Sequence, residues 1–371
     1  MSKRFIISGG GTGGHIFPAL AIANQIKKEI PDADILFIGA KNKMEMIKVP
    51  EAGFTIEGLE IYGISRNLSP KGILKNLQLP FVLMRAYRKA KQIIRAFRPD
   101  VVIGVGGFAS GPALKAAISM KIPTVIQEQN SYPGVTNKAL AKDVKKIFVA
   151  YDGLEKYFPA SKIVKAGNPV RSEILNFTKK SEEAYEYFNF SKEKRTVLVV
   201  GGSLGARTIN HCIGANIHFF EEKGVQLLWQ TGELFYKTLS PELEAKQSDT
   251  IKIVPFIKRM DLAYSVADFI VSRAGALAIA ELTLVGTPTI LVPFPYAAED
   301  HQTKNGAALS DHGAAILIPD QEVHLNLMSN IEALMDDEVG AQKMGEEMRR
   351  FGFPNAIHEI VKGILELTEK Q

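Results

Sequence analysis

Several residues in this chain of 371 could act on a phosphorylated ligand, and most stand beside glycine-rich turns. The stretch from Asp268 to Glu281 reads DFIVSRAGALAIAE. Phe269, Ile270 and Val271 predict a short buried strand, Ser272-Arg273-Ala274-Gly275 a tight turn, and the run from Ala276 a helix. N–H groups at a helix N-terminus carry partial positive charge and favour a phosphate. Glu281 lies about a turn and a half into that helix, spaced to reach a sugar hydroxyl. An ordinary βα unit of a parallel sheet has the same local pattern, so this stretch alone leaves both readings open.

A second set lies at the N-terminus. Phe5-Ile6-Ile7 predicts a strand, and a helix follows from Ile16 to Ile30 with Pro18 in its first turn. Gly9, Gly11 and Gly14 between them match G-x-G-x-x-G. A dinucleotide site would also need an acidic residue closing the second strand, Ile35–Ile38. That strand ends in Gly39-Ala40-Lys41, which argues against NAD. His15, directly after the glycines, is either a proton acceptor or a helix-start histidine without a chemical role. Asp32-Ala33-Asp34 spells a metal-type D-x-D, but at the wrong end of the sheet, and reads as a solvated turn.

These groups need elements to hold them. Gly106–Pro112 (GGFASGP) follows the strand Asp100–Val105, and Gln127-Glu128-Gln129-Asn130 closes the strand Thr124–Ile126. Asn130 can both donate and accept hydrogen bonds, as a sugar requires. Glu128 reads as acid–base or, more simply, as a loop-orienting carboxylate. Gly167-Asn168-Pro169-Val170-Arg171 looks like a domain crossing. The pattern then restarts with Thr196–Val200, a glycine turn containing Ser203, and a helix predicted over Arg207–Glu222. A dense polar run, Glu299–Asn305, marks another ligand edge, where His301 is either catalytic or a cap. Trp229 reads as core.

Repeated strand–glycine turn–helix units predict an α/β chain of two doubly wound, Rossmann-like domains facing across a cleft. The expected division is 1–166 and 167–349, with a C-terminal helix at about 350–371 packing back on the first domain.

Hydrophobic content of 46% and charged content of 23% are those of a soluble globular chain. Net charge of +5 favours anionic partners. The single cysteine, Cys212, excludes an internal disulfide and a cysteine-rich metal site. No apolar run has the length of a signal peptide core at the N-terminus or of a membrane span. A cytoplasmic location is expected. Lys71–Phe97 mixes Ile73, Leu74, Leu77 and Phe81 with Arg85, Arg88 and Lys89, and contains no acidic residue. Such a surface suits an anionic membrane interface, although a helix pair packed on the sheet would also be amphipathic.

Seven motifs occur in order: GGGTGGHIFPALAIA, GVGGFASGP, EQNSYPGVTNK, GNPVR, VVGGSLGAR, SRAGALAIAE and PFP…EDHQTKN. Together they resemble the MurG family, peripheral-membrane glycosyltransferases of bacterial peptidoglycan synthesis with a GT-B fold. The resemblance covers residues 5 to 314. It implies transfer, with inversion, of N-acetylglucosamine from UDP-GlcNAc to the C4 hydroxyl of the N-acetylmuramoyl-pentapeptide of lipid I, giving lipid II. It implies UDP-GlcNAc contacts at Thr12, Gly13, Gly14, Asn130, Arg171, Ser203, Ile257, Ala276, Leu277, Ala278, Ile279, Ala280, Glu281 and Gln302. Ile257 would offer backbone groups to the uracil and Glu281 would hold the ribose. His15 is the candidate base, and Gly106, Gly107, Phe108 and Ser110 face the acceptor. Phe108 stands where the family often has Tyr. No cofactor or metal is required, no nucleic acid is expected, and cell-wall synthesis and division complexes are possible partners. The protein would sit on the cytoplasmic face of the membrane. The alternatives are another UDP-GlcNAc enzyme of this fold, either a soluble-acceptor transferase or a 2-epimerase, and a non-catalytic nucleotide-sugar-binding protein.

Overall fold

The structure is a computed structural model that describes residues 2–11, 13–63, 69–202 and 205–369. It divides into two compact units, Met1–Val170 with Asn355–Gln371, and Arg171–Pro354. The division at 170/171 falls four residues beyond the expected 166/167, and the return falls at 354/355 rather than near 350.

The first unit is a seven-stranded parallel sheet. Its strands are β1 (Arg4–Ser8), β2 (Asp34–Ala40), β3 (Thr55–Leu59), β4 (Val101–Gly104), β5 (Thr124–Glu128), β6 (Lys146–Val149) and β7 (Ile163–Lys165). They lie in the order β3-β2-β1-β4-β5-β6-β7. The helices used below are α1 (Gly13–Glu29), α2 (Glu45–Glu51), α3 (Pro70–Phe97), α4 (Ser110–Ser119) and α5 (Val135–Leu140).

Alternate side chains on each strand point to opposite faces, so a sheet covered on both sides needs continuous apolar runs. Phe5 and Ile7 pack with Ile22 and Ile26 of α1 and with Ile360 and Ile364 of the C-terminal helix Ala356–Leu365. Ile6, between them in sequence, packs on the other face with Ala90 and Ile94 of α3 and Leu114 of α4. Each of these fully buried large side chains contributes about 1.5–3 kcal/mol.

The second unit repeats the plan with six parallel strands, β8 (Thr196–Val200), β9 (Gln226–Gln230), β10 (Ile251–Val254), β11 (Phe269–Arg273), β12 (Thr289–Val292) and β13 (Ile316–Leu317). Their order is β10-β9-β8-β11-β12-β13. Val197, Val199 and Trp229 pack on one face, and Leu198, Leu228 and Ile270 on the other. Trp229 is fully buried, as core.

In both sheets the chain leaves the first strand in one direction and returns on its other side. That reversal places a ligand crevice at the carboxyl ends of β1 and β4, and of β8 and β11.

Several boundaries differ from expectation. α1 starts at Gly13, so Pro18 falls in the second turn rather than the first. α4 starts at Ser110 instead of Ala113. Ser272 and Arg273 complete β11 instead of forming the turn. The helix predicted over Arg207–Glu222 breaks at Asn216, whose Nδ2 donates to the Cys212 carbonyl at 2.8 Å. Lys71–Phe97 is not a helix pair, because α3 runs unbroken through Pro80 for 28 residues.

Candidate functional site

In the first unit the two glycine turns at the switch point touch. A Cβ on Gly107 would lie 2.3 Å from the Gly10 carbonyl oxygen, and Gly107 holds φ +80°, so only glycine fits there. A Cβ on Gly106 would meet the His15 ring at 2.8 Å, and one on Gly11 would meet the Phe108 ring at 3.3 Å. His15, Gly106, Gly107 and Phe108 are therefore brought together, with Gly13 and Gly14 in the first turn of α1. Ser110 is not on that surface. It is fully buried, and its hydroxyl donates to the Gly107 carbonyl at 2.9 Å, which closes its own turn. Thr12 and Ser203 lie outside the described residues.

One carboxylate near these turns escaped the sequence reading. Glu45, from α2, is buried and accepts the Gly11 N–H and the Ala40 N–H, both at 3.0 Å. It stands at the end of β2, where the missing acidic residue would have been. Both of its oxygens are engaged by backbone.

At the end of β5, Glu128 is buried and accepts four hydrogen bonds. They come from the Asn130 N–H (3.0 Å), Asn130 Nδ2 (3.3 Å), the Gly134 N–H (3.0 Å) and Asn137 Nδ2 (2.8 Å). Burial raises its pKa, and these four donors work against that rise. Of its two sequence readings, the loop-orienting one fits this geometry, and Asn130 is the residue it orients. Behind it, Gln127 Nε2 donates to Asn168 Oδ1 at 2.9 Å, and Asn168 Nδ2 to the Gln129 carbonyl at 2.9 Å.

In the second unit, Gly275 opens the helix Ala276–Val285 in an extended conformation and Gly286 ends it in a left-handed one. Ile279 and Glu281 point into the protein, so Ile279 could meet a ligand only through its backbone. Arg171 and Glu281 form a two-pronged ion pair, Nε to Oε1 at 2.8 Å and Nη2 to Oε2 at 2.9 Å. The Tyr264 hydroxyl donates to Oε2 at 3.0 Å. The Glu281 side chain is 9% exposed and that of Arg171 44%.

Gln230, at the end of β9, ties two neighbouring loops. Its Nε2 donates to the Gly202 carbonyl at 3.1 Å, and its Oε1 accepts the Ile257 N–H at 2.8 Å. Of the backbone groups Ile257 was expected to offer, the N–H is thus already engaged. Gln302 Oε1 accepts the Phe294 N–H at 2.9 Å, which fixes the loop after β12. Arg273 pairs with Asp320 at 2.5 Å, and Asp320 also accepts the Thr208 hydroxyl at 2.8 Å, so the end of β11 and the helix after β8 are linked through the segment after β13.

The two halves of α3 behave differently. Ile73, Leu74, Leu77 and Phe81 are 50–76% exposed, whereas Ala86, Ala90 and Ile94 are buried. Arg85, Arg88 and Lys89 are exposed, and Lys89 lies 3.4 Å from Glu57. Among the described residues no helix is long and apolar enough to cross a membrane.

Two Rossmann-like parallel units in one chain, each with glycine turns at its switch point, define the GT-B class of nucleotide-sugar enzymes. Residues 5–149 match the glycosyltransferase family 28 N-terminal domain and residues 196–360 the family 28 C-terminal domain. The chain belongs to glycosyltransferase family 28. It is 50% identical over 364 residues to a protein of Cytophaga hutchinsonii, covering 98% of this chain and 96% of the relative. It is 45% identical over 368 residues to one of Flavobacterium psychrophilum, covering 99% and 98%. Both relatives are named UDP-N-acetylglucosamine–N-acetylmuramyl-(pentapeptide) pyrophosphoryl-undecaprenol N-acetylglucosamine transferase. The crystal structure of MurG from Acinetobacter baumannii is similar with a TM-score of 0.78 at 28% identity, covering 98% of this chain and 99% of that one. An S. aureus MnaA–UDP structure, at 13% identity and a TM-score of 0.66, shares the fold alone.

Proposed function

We propose that this enzyme transfers N-acetylglucosamine from UDP-GlcNAc to the C4 hydroxyl of the N-acetylmuramoyl-pentapeptide carried on undecaprenyl diphosphate, converting lipid I to lipid II. The observation that carries the reading is identity of 45–50% over 98–99% of the chain to enzymes named for that reaction.

The donor is assigned to the second unit. The diphosphate lies at the N-terminus of the helix Ala276–Val285 and the glycine turn after β8, where N–H dipoles meet the charge that grows on departing UDP. In this reading the charge is handled without a metal. Glu281 holds ribose hydroxyls, Arg171 braces it, the Ile257 carbonyl serves the uracil, and Gln302 and Asn130 serve the sugar. The acceptor is assigned to the first unit, along Gly106, Gly107 and Phe108. His15 takes the proton of the acceptor hydroxyl as it attacks C1 in line. A single displacement inverts the anomeric configuration.

A polyprenyl-linked acceptor stays in the bilayer, so the enzyme comes to the membrane. The exposed apolar half of α3 and the basic residues after it form the docking surface, a peripheral attachment to the cytoplasmic face.

Radiolabelled GlcNAc transfer from the UDP donor into a lipid I analogue tests the reaction. Label should enter the lipid product, and His15→Ala should slow it about 100-fold or more, as expected for loss of a general base. Epimerised UDP sugar formed without any acceptor, and no label in lipid, would replace this reading by the epimerase.

A further inference from the structure

The Glu281 carboxylate has unequal oxygens. Oε2 accepts two hydrogen bonds, from Arg171 Nη2 at 2.9 Å and the Tyr264 hydroxyl at 3.0 Å. Oε1 accepts one, from Arg171 Nε at 2.8 Å. Each carboxylate oxygen has about two acceptor sites. Oε2 is therefore full, and Oε1 keeps a single site. Two partners from different parts of the chain, Arg171 before the first helix of the unit and Tyr264 on the helix Met260–Val266, hold the carboxylate in one orientation.

We propose that Tyr264 is a positioning residue for the donor's ribose: by filling the second site on Oε2 it leaves Oε1 of Glu281 as the one carboxylate atom open to the ribose hydroxyls. This rests on the assignment of Glu281 to the ribose. Tyr264 itself is assigned no substrate contact: it is buried, and its hydroxyl is spent on Glu281. Its pKa lies well above the ordinary tyrosine value, through burial first and the neighbouring Glu281 charge second. The hydroxyl thus stays protonated, and a donor, throughout the neutral range. Without it, Oε2 regains a free site, and the carboxylate is held by Arg171 alone. A ribose hydroxyl then meets two competing geometries instead of one.

The test uses the full-length wild type and Tyr264→Phe with two ligands, UDP and its 2′,3′-dideoxy analogue, titrated by calorimetry. Wild type should prefer UDP by about tenfold, the loss that follows when a charged hydrogen-bond acceptor goes unused. Tyr264→Phe should bind UDP about fivefold more weakly and bind the dideoxy analogue as wild type does. Its KM for UDP-GlcNAc should rise by the same factor with kcat unchanged, the pattern of lost uniform binding. Equal weakening of both ligands would mean that Tyr264 merely supports the fold, and no weakening of either would mean that it does nothing for the donor; each overturns the proposal. If wild type itself binds both ligands alike, the ribose assignment of Glu281 fails first, and the role of Tyr264 goes with it.

Discussion

Glu45 and Gly11, 34 residues apart, are joined by a carboxylate-to-backbone hydrogen bond of 3.0 Å in which Gly11 donates. The other oxygen takes the Ala40 N–H, so one buried side chain fastens the turn after β1 to the end of β2. In a dinucleotide enzyme the acid at that place is left for a ribose. Here it is consumed by the backbone.

Glu45→Ala leaves two backbone donors, one buried and one half-buried, without their acceptor. The expected cost is about 2–5 kcal/mol, since hydrogen bonds to charged groups are worth about 1.5–3 kcal/mol each. Thermal unfolding should show a melting point lower by several degrees. UDP affinity, assigned to the other unit, should be preserved while KM for the lipid acceptor rises. An unaltered melting point would deny Glu45 its anchoring role.

Gly107 and Gly153 make a matched pair. Both hold a positive φ, +80° and +76°. An added Cβ at Gly107 strikes the Gly10 carbonyl at 2.3 Å, whereas at Gly153 nothing lies within 4 Å. Gly153→Ala should therefore cost only the backbone strain, about 1 kcal/mol, and keep full activity. Gly107→Ala adds a clash with main chain that has no rotamer to escape into. It should lose more than about 2 kcal/mol and nearly all transfer to lipid I. Equal behaviour of the two variants, in unfolding and in transfer assays, would show that the contact between the glycine turns is dispensable.

The strand–glycine–helix rhythm was legible because buried parallel strands need unbroken apolar runs, such as Thr196–Val200 and Val101–Gly104. What escaped were three of the four edge strands. β3, β7 and β13 are edge strands whose outer sides face less core, and Thr55, Ile163 and Ile316 are not buried. Glycine turns were equally readable, but the side chains that discipline them were not. Glu45 acts across 34 residues, Tyr264 across 17 to Glu281, and Arg171 across 110. Local spacing carries no trace of such pairings. Ser110 failed for the opposite reason: a hydroxyl in a loop looks available until its own turn claims it.

Gln230 offers a test of the donor side that leaves every assigned contact in place. It joins the Gly202 carbonyl to the Ile257 N–H and is itself buried. Gln230→Leu keeps the volume and deletes both bonds, leaving two backbone groups in search of partners. A loss of about 2–4 kcal/mol in stability is expected, at about 1–3 kcal/mol per unsatisfied group. The loops that flank the uracil and diphosphate would loosen together. KM for UDP-GlcNAc should then rise about tenfold while KM for the acceptor stays constant. Steady-state kinetics with each substrate varied in turn would reveal this, and parallel changes in both constants would place Gln230 outside the donor site.

The exposed half of α3 gives the remaining prediction its sign. Arg85, Arg88 and Lys89 follow directly on the apolar stretch Ile73–Met84, and α3 contains no acidic side chain. Each basic group near an anionic bilayer is worth about 1 kcal/mol, and reversal removes an attraction and adds a repulsion. Changing all three to Glu should weaken binding to vesicles rich in phosphatidylglycerol by at least about 100-fold. The effect should shrink as salt rises, because exposed charges are screened beyond about 10 Å at 0.1 M. Neutral vesicles should show little difference, and UDP binding none, since no change touches the second unit. Lys89→Glu alone also places like charge beside Glu57, now 3.4 Å from the lysine, so its melting point should drop slightly where Arg88→Glu leaves it unmoved. Vesicle flotation of the triple variant at the level of wild type, at low salt, would strip α3 of its docking role and leave its exposed leucines and Phe81 to be explained by a protein partner.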